Sequence, residues 1–185
     1  MDARFRRSQE RLHAAVLALA AERPVRELSV AGVCRAAGVT RETFYRHAPS
    51  VTVLLADALS DDLAACLAET PAAAPLGEAE RLLLEHIWER AAVYRGAMDP
   101  LLVAPVRERI EDYLRVGLGD LLVRRPQLLP PALRGDDLGA RIAVAYAAAG
   151  TVGAIEAWLL DGAGDVDHAV RAVLEASPQW WLAAE

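Results

Sequence analysis

An all-α fold of about nine helices is what this 185-residue sequence predicts. Three observations carry that expectation. Apolar residues recur at three- and four-residue spacing through segment after segment. The segments are cut by helix-ending punctuation at Pro24, Pro49, Pro71–Pro75, Gly96, Pro126–Gly135 and Asp161–Gly164. No run alternates apolar and polar residues as a half-buried strand requires. At 54% hydrophobic residues the chain is long and apolar enough for a real core and is not a disordered polymer.

In order, residues 4–22 predict a first helix, with Phe5, Leu12, Val16 and Leu19 on one stripe. Arg4, Arg6, Arg7 and Arg11 decorate its start, as a phosphate-contacting arm or as a solvated face. Residues 28–47 predict two short helices joined by a tight turn. Ser29 is a good N-cap for the first, which turns Val30, Val33, Cys34 and Ala37 inward. Gly38 stops it, because glycine enters the left-handed conformation without a Cβ penalty. Thr40 caps the second, whose one large inward residue is Phe44. Ser50 caps a fourth helix, about Val51 to Glu69, with Leu54, Leu55, Ala58, Leu59, Leu63 and Leu67 inward; it would link head to body. After the Pro71–Pro75 linker, a fifth helix from about Gly77 to Tyr94 places Leu83, Leu84, Ile87, Trp88 and Ala91 on its core side and is closed by Gly96. A short helical or irregular piece spans Met98–Val103. Three more helices follow: about Val106 to Arg124, a long one from about Asp136 to Leu160, and a last one from about Val166 to Leu182 ending in Trp180-Trp181.

The second short helix is the part that carries chemistry. A small, exposed, polar helix on one aromatic anchor makes a poor core element and a good reading head for a DNA groove, which is the helix–turn–helix arrangement. Arg41 and Tyr45, four apart, share one face, and Glu42 and Arg46 the adjacent one. Arginine forks onto guanine, threonine and tyrosine reach phosphates or a thymine methyl, and histidine donates to phosphate. Free N–H groups near the cap suit a phosphate as well. The plainer alternatives are a Glu42–Arg46 pair on a solvated face and a His47 that only complements the helix dipole.

The run Leu28-Ser-Val-x-x-Val-x-x-x-Ala-Gly-Val-Thr-Arg-x-Thr-Phe-Tyr-Arg-His47 resembles the DNA-binding signature of the TetR (tetracycline-repressor) family of bacterial transcriptional regulators. The resemblance covers roughly the first 50 residues. It implies a three-helix DNA-binding domain over residues 1–48 and a helical effector-binding and dimerisation domain over 49–185. It implies DNA contacts from Thr40, Arg41, Thr43, Tyr45 and His47, and Ser29, Glu42 and Arg46 complete the candidate set. Two positions depart from the pattern: Ala48 replaces the usual aromatic after the histidine, and Val51 the usual lysine at the start of the next helix. The second removes a phosphate contact, which weakens affinity and flattens its salt dependence by about one charge.

For the remainder, the resemblance implies a homodimer whose last two long helices bundle with their mates, and Gly150, Gly153 and Trp158 are the candidate interface residues. A helix as apolar as Ile142–Leu160 independently needs cover on more than one face. Trp88, Tyr94, Met98, Tyr113 and Tyr146 are the candidate lining of an effector pocket, though such residues also fill ordinary cores. His86 and Arg95 either orient an anionic or polar ligand or sit in solvent. The expected protein is a repressor released from a palindromic operator by an unidentified small molecule bound between the fourth and seventh helices.

Charge supports a nucleic-acid head. Residues 1–47 hold nine arginines and five acids, a net of +4, while the whole chain carries −6. A basic head on an acidic body suits DNA at one end and self-association or sensing at the other. All 20 basic residues are arginine, which points to a GC-rich coding bias. Cys34 and Cys66 read as small buried hydrophobes in a reducing cytosol, and the charged N-terminus offers no signal-length apolar run, so a cytoplasmic protein without a membrane span is expected. Catalytic residues, cofactors and metals are not expected. His13, His47, His86 and His168 have no paired spacing, and there is no phosphate loop or nucleophile elbow. Glu85, His86 and Glu89 read as a solvated face rather than metal ligands. The competing readings are a helical ligand-sensing or dimerising protein that has lost DNA binding, resting on Ala48 and Val51, and an enzyme on a helical scaffold.

Overall fold

The computed structural model describes residues 3–68, 76–162 and 164–177. Among the described residues are nine α-helices: α1 (Ala3–Glu22), α2 (Val30–Ala37), α3 (Arg41–His47), α4 (Val51–Leu67), α5 (Leu76–Glu89), α6 (Ala91–Gly96), α7 (Ala104–Arg124), α8 (Asp137–Asp161) and α9 (Val166–Ala176). The chain divides into two compact units. The first runs to Ala65 and takes in Arg90–Arg109; the second comprises Cys66–Glu89 and the chain from Ile110 onward. The Pro71–Pro75 linker and the Trp180-Trp181 pair lie outside the described residues.

The first unit buries Leu12, Val16, Val33, Phe44, Leu54, Leu55, Leu59 and Tyr94. The polar edge of α4 is tied to its surroundings by carboxylates. Asp57 accepts from Arg109 (2.6 and 2.9 Å), Asp62 accepts from Arg90 Nε (2.7 Å), and Asp61 lies 3.5 Å from His13 on α1. α6 packs along α1 at Gly96, where a Cβ would overlap the carbonyl oxygen of Ala20. α6 ends at Gly96 as expected, but without a positive φ, and the glycine also serves close approach. Gly96→Ala is expected to cost about 1–3 kcal/mol through overpacking. Urea unfolding followed by far-UV circular dichroism checks it, and an unchanged midpoint would show that this contact is slack.

The expected single helix over 77–94 is two. The break falls at Arg90 (φ −102°, ψ 14°), whose guanidinium is bonded to Asp62. Ala91, Val93 and Tyr94 are buried with the first unit, whereas Leu83, Leu84 and Ile87 are buried in the second, so the two halves answer to different cores. Met98–Val103 is irregular, closed by a bridge between Met98 and Leu102.

In the second unit α8 is capped by Asp136, which accepts from the N–H groups of Leu138 and Gly139, and α9 by Asp165, which accepts from that of His168. α5 packs on α9, fastened at the surface by Arg81 to Asp167. Trp88 and Trp158 lie with ring centroids 5.3 Å apart. The segment expected as a plain loop, 126–135, contains two 3-10 turns and buries Leu128 and Leu129 against Leu122 and Ala143.

Candidate nucleic-acid interface

Each part of the reading head is fixed by a local interaction. Ser29 Oγ accepts from the Gly32 N–H (3.1 Å) and starts α2. Gly38 ends it with φ +60°, and Arg11 reaches across from α1 to donate to the Gly38 carbonyl (2.9 Å), pinning the turn. Thr40 Oγ1 accepts from the Thr43 N–H (3.1 Å), and the two threonine hydroxyls are 3.0 Å apart. Phe44 is fully buried and meets the Tyr45 ring edge to face, at 5.4 Å and 85°. A seven-residue helix is too short to be stable alone. Its caps and Phe44 give α3 its place.

What remains outward is polar and unengaged. Tyr45 is 59% exposed, and Arg41, Glu42 and Arg46 are exposed on either side of it. The plain Glu42–Arg46 pair does not form; none of these three has an ion-pair partner among the described residues. Beside them Arg4, Arg11, Thr40, Thr43 and Arg46 share a surface cleft. Three guanidinium groups and two hydroxyls around a helix start suit a backbone phosphate. That places two of the four N-terminal arginines with the reading surface.

His47 is turned differently from the other candidates. Its Nε2 hydrogen-bonds Ser8 Oγ (2.8 Å) and its ring lies on Phe5, centroids 4.1 Å apart. Burial, with Arg46 and His13 nearby, holds the imidazole below its ordinary range and so favours the neutral ring. Of the two departures, Ala48 is buried at the end of α3 and Val51 is buried at the start of α4. Neither position presents a group to a phosphate.

The five candidate pocket residues divide between the two units. Tyr94 and Met98 belong to the first unit; Trp88, Tyr113 and Tyr146 belong to the second. Tyr94 is fully buried, and Trp88 is taken up by Trp158. His86, assigned above to a solvated face, is buried. The second unit holds instead a cavity of about 200 Å³ among α5, α7, α8 and α9, with Leu114, Leu118, Ala147 and Leu174 in its walls and Tyr146 at its margin. It also has Glu80 in its lining, a residue that residue type did not single out. Position did offer a signal: Glu80 lies three, four and seven residues before Leu83, Leu84 and Ile87, on the inward stripe of α5.

The outer face of α8 is apolar and open. Ile142 is 60% and Tyr146 68% exposed, with Leu138 and Leu160 on either side. A Cβ at Gly150 or Gly153 would meet nothing within 4 Å. Trp158, the third candidate interface residue, is half-buried on Trp88 instead. By length and composition alone α8 would be able to cross a bilayer. Among the described residues no group of three or more His, Cys, Asp and Glu is placed to hold a metal.

Residues 12–58 match the family model described as bacterial regulatory proteins, tetR family. Three solved structures share the fold. The dihydroxyacetone kinase operon activator DhaS is 16% identical with a TM-score of 0.62, over 92% of this chain and 96% of that one. RolR without ligand is 18% identical with a TM-score of 0.58, over 91% and 89%. A tetR-family transcriptional regulator from Streptomyces coelicolor is 19% identical with a TM-score of 0.51, over 97% and 92%. At such identities the likeness is one of fold. No curated protein matches the chain.

Proposed function

This chain being, by its residues 12–58, a tetR-family transcriptional regulator, we propose that it is a homodimeric repressor which holds a palindromic operator until a small-molecule effector releases it. Residues 1–48 act as the reading head and 49–185 as the effector-binding and dimerisation domain. The observation that carries the proposal is α3 itself, capped at Thr40, anchored by Phe44, and presenting Arg41, Tyr45 and Arg46 with no ion pair among the described residues.

Fluorescence anisotropy with DNA from upstream of the chain's own gene tests it, with random-sequence selection as the wider search. Arg41→Ala and Tyr45→Ala are each expected to lose about 1–3 kcal/mol, roughly 5- to 150-fold, on the specific site. Arg46→Ala should weaken all sequences alike and lower the salt slope by about one. Variants that bind like the parent would remove α3 from the reading role. A reporter driven from the same DNA gives the sign of control, which matters because one similar structure is that of an operon activator.

The open face of α8 supports the dimer reading. Two copies joined there through Ile142, Tyr146, Gly150 and Gly153 would cover its exposed apolar side chains and let the backbones approach at the glycines. A two-fold axis sets the two α3 helices in successive major grooves, ~34–36 Å apart for one turn of DNA. Ile142→Glu is expected to give a monomer by analytical ultracentrifugation, with operator affinity falling in step; a dimer that persists would put the interface elsewhere. Effector and operator must weaken one another by the same factor.

A further inference from the structure

Building on that effector-responsive reading, we propose that the cavity of the second unit takes an organic monocation, a single amine on an alkyl or aryl body, with the Glu80 carboxylate as its counter-ion. The size of the cavity is about 200 Å³. A dry cavity of about 150 Å³ admits benzene, with about six heavy atoms, so this one suits a body of about eight. Leu114, Leu118, Ala147, Val173 and Leu174 in its walls supply an apolar grip and say nothing about charge. Glu80 does.

One oxygen of that carboxyl, Oε1, is sealed from solvent and has no hydrogen bond among the described residues. A buried polar group left in that state costs stability, and native interiors rarely keep one. Among the described residues no cation lines the cavity with it, and the neighbouring Arg81 is committed to Asp167 and Glu85. Among the lining residues Tyr146 is the one other titratable group, and the Ser177 hydroxyl is spent on the Val173 carbonyl (2.8 Å). An anion would be repelled here, and an apolar neutral ligand would leave the carboxyl as costly as before. An ammonium group meets it with a charge-assisted hydrogen bond. Burial pushes the Glu80 carboxyl up to about 7, so the incoming ammonium displaces a proton.

Calorimetry on the full chain without DNA decides it, using hexylamine, benzylamine, phenethylamine and phenylbutylamine beside the alcohols of the same skeletons. At pH 7.5 at least one amine is expected to bind at least tenfold more tightly than its alcohol. Glu80→Gln should abolish that preference by weakening the amine and leaving the alcohol unchanged. Amine affinity should rise about tenfold from pH 6 to pH 8 as the displaced proton is lost. The proposal is overturned if no amine outbinds its alcohol, or if Glu80→Gln keeps the preference. Release of operator DNA is measured separately. An amine that binds through Glu80 but leaves the DNA bound supports the ligand class and sinks the effector reading. A non-amine that releases DNA, when no amine binds, does the reverse.

Discussion

Phe44→Ala is expected to abolish specific DNA binding while leaving most of the protein folded. Phe44 is the one fully buried side chain of α3, and its loss removes both apolar transfer energy and packing, about 3–5 kcal/mol. A domain stable by 5–15 kcal/mol survives a loss of that size in most cases. A seven-residue helix does not survive it as a docked element, because it is below the length at which helices hold by themselves. Thr40 would still cap α3 and His47 would still rest on Phe5 and Ser8 of α1, but neither replaces its one fully buried anchor. Operator affinity should therefore fall to the sequence-independent level, a drop of about 10³ or more. Far-UV circular dichroism, which keeps most of its helical signal if α3 alone is lost, separates this result from global unfolding. Specific binding that persists in Phe44→Ala would mean that α3 is positioned by something other than its anchor.

The reading head was open to sequence reasoning because its determinants are local. Ser29 to Gly32, Gly38 at positive φ, and Thr40 to Thr43 are interactions within a turn or less, and the residue types that make them are few. What failed depended on distant partners. His47 was expected on the exposed face, but Phe5 and Ser8, some forty positions away, draw it onto α1. The break at Arg90 follows from Asp62 and from which unit buries Tyr94, and neither is visible in the periodicity of residues 77–94. Chemical type points to pocket residues but does not say which helices adjoin. Trp88 found Trp158, Tyr94 and Met98 went to the first unit, and only Tyr146 reaches the cavity. Glu80 and His86 are the instructive omissions. Both sit on or beside the Leu83–Leu84–Ile87 stripe, but the charged company of Glu78, Arg81, Glu85 and Glu89 made the stretch look solvated. Position against the inward stripe was the better guide than local composition.

The same residue makes the strongest prediction about stability. Glu80 has an ordinary carboxyl value of 4.5 when unfolded and about 7 when folded, with burial as the cause. The folded state thus holds a proton that the unfolded state releases between those two values. Stability from this group is fully present below pH 4.5 and is lost as pH rises to about 7, amounting to about 3 kcal/mol. The histidines work in the opposite direction. His13 and His47 are held below 6.5 chiefly by burial, so their contribution is present above that value and lost as pH falls. The raw pH profile mixes both trends, and the difference between the parent and Glu80→Gln isolates one. Glutamine keeps the shape and cannot ionise. Its urea midpoint, followed by tryptophan fluorescence, should nearly coincide with the parent's at pH 4.5 and exceed it increasingly up to pH 7, then run parallel. A constant offset across that range would show that Glu80 is charged in the folded protein throughout, and that its carboxylate already has a partner.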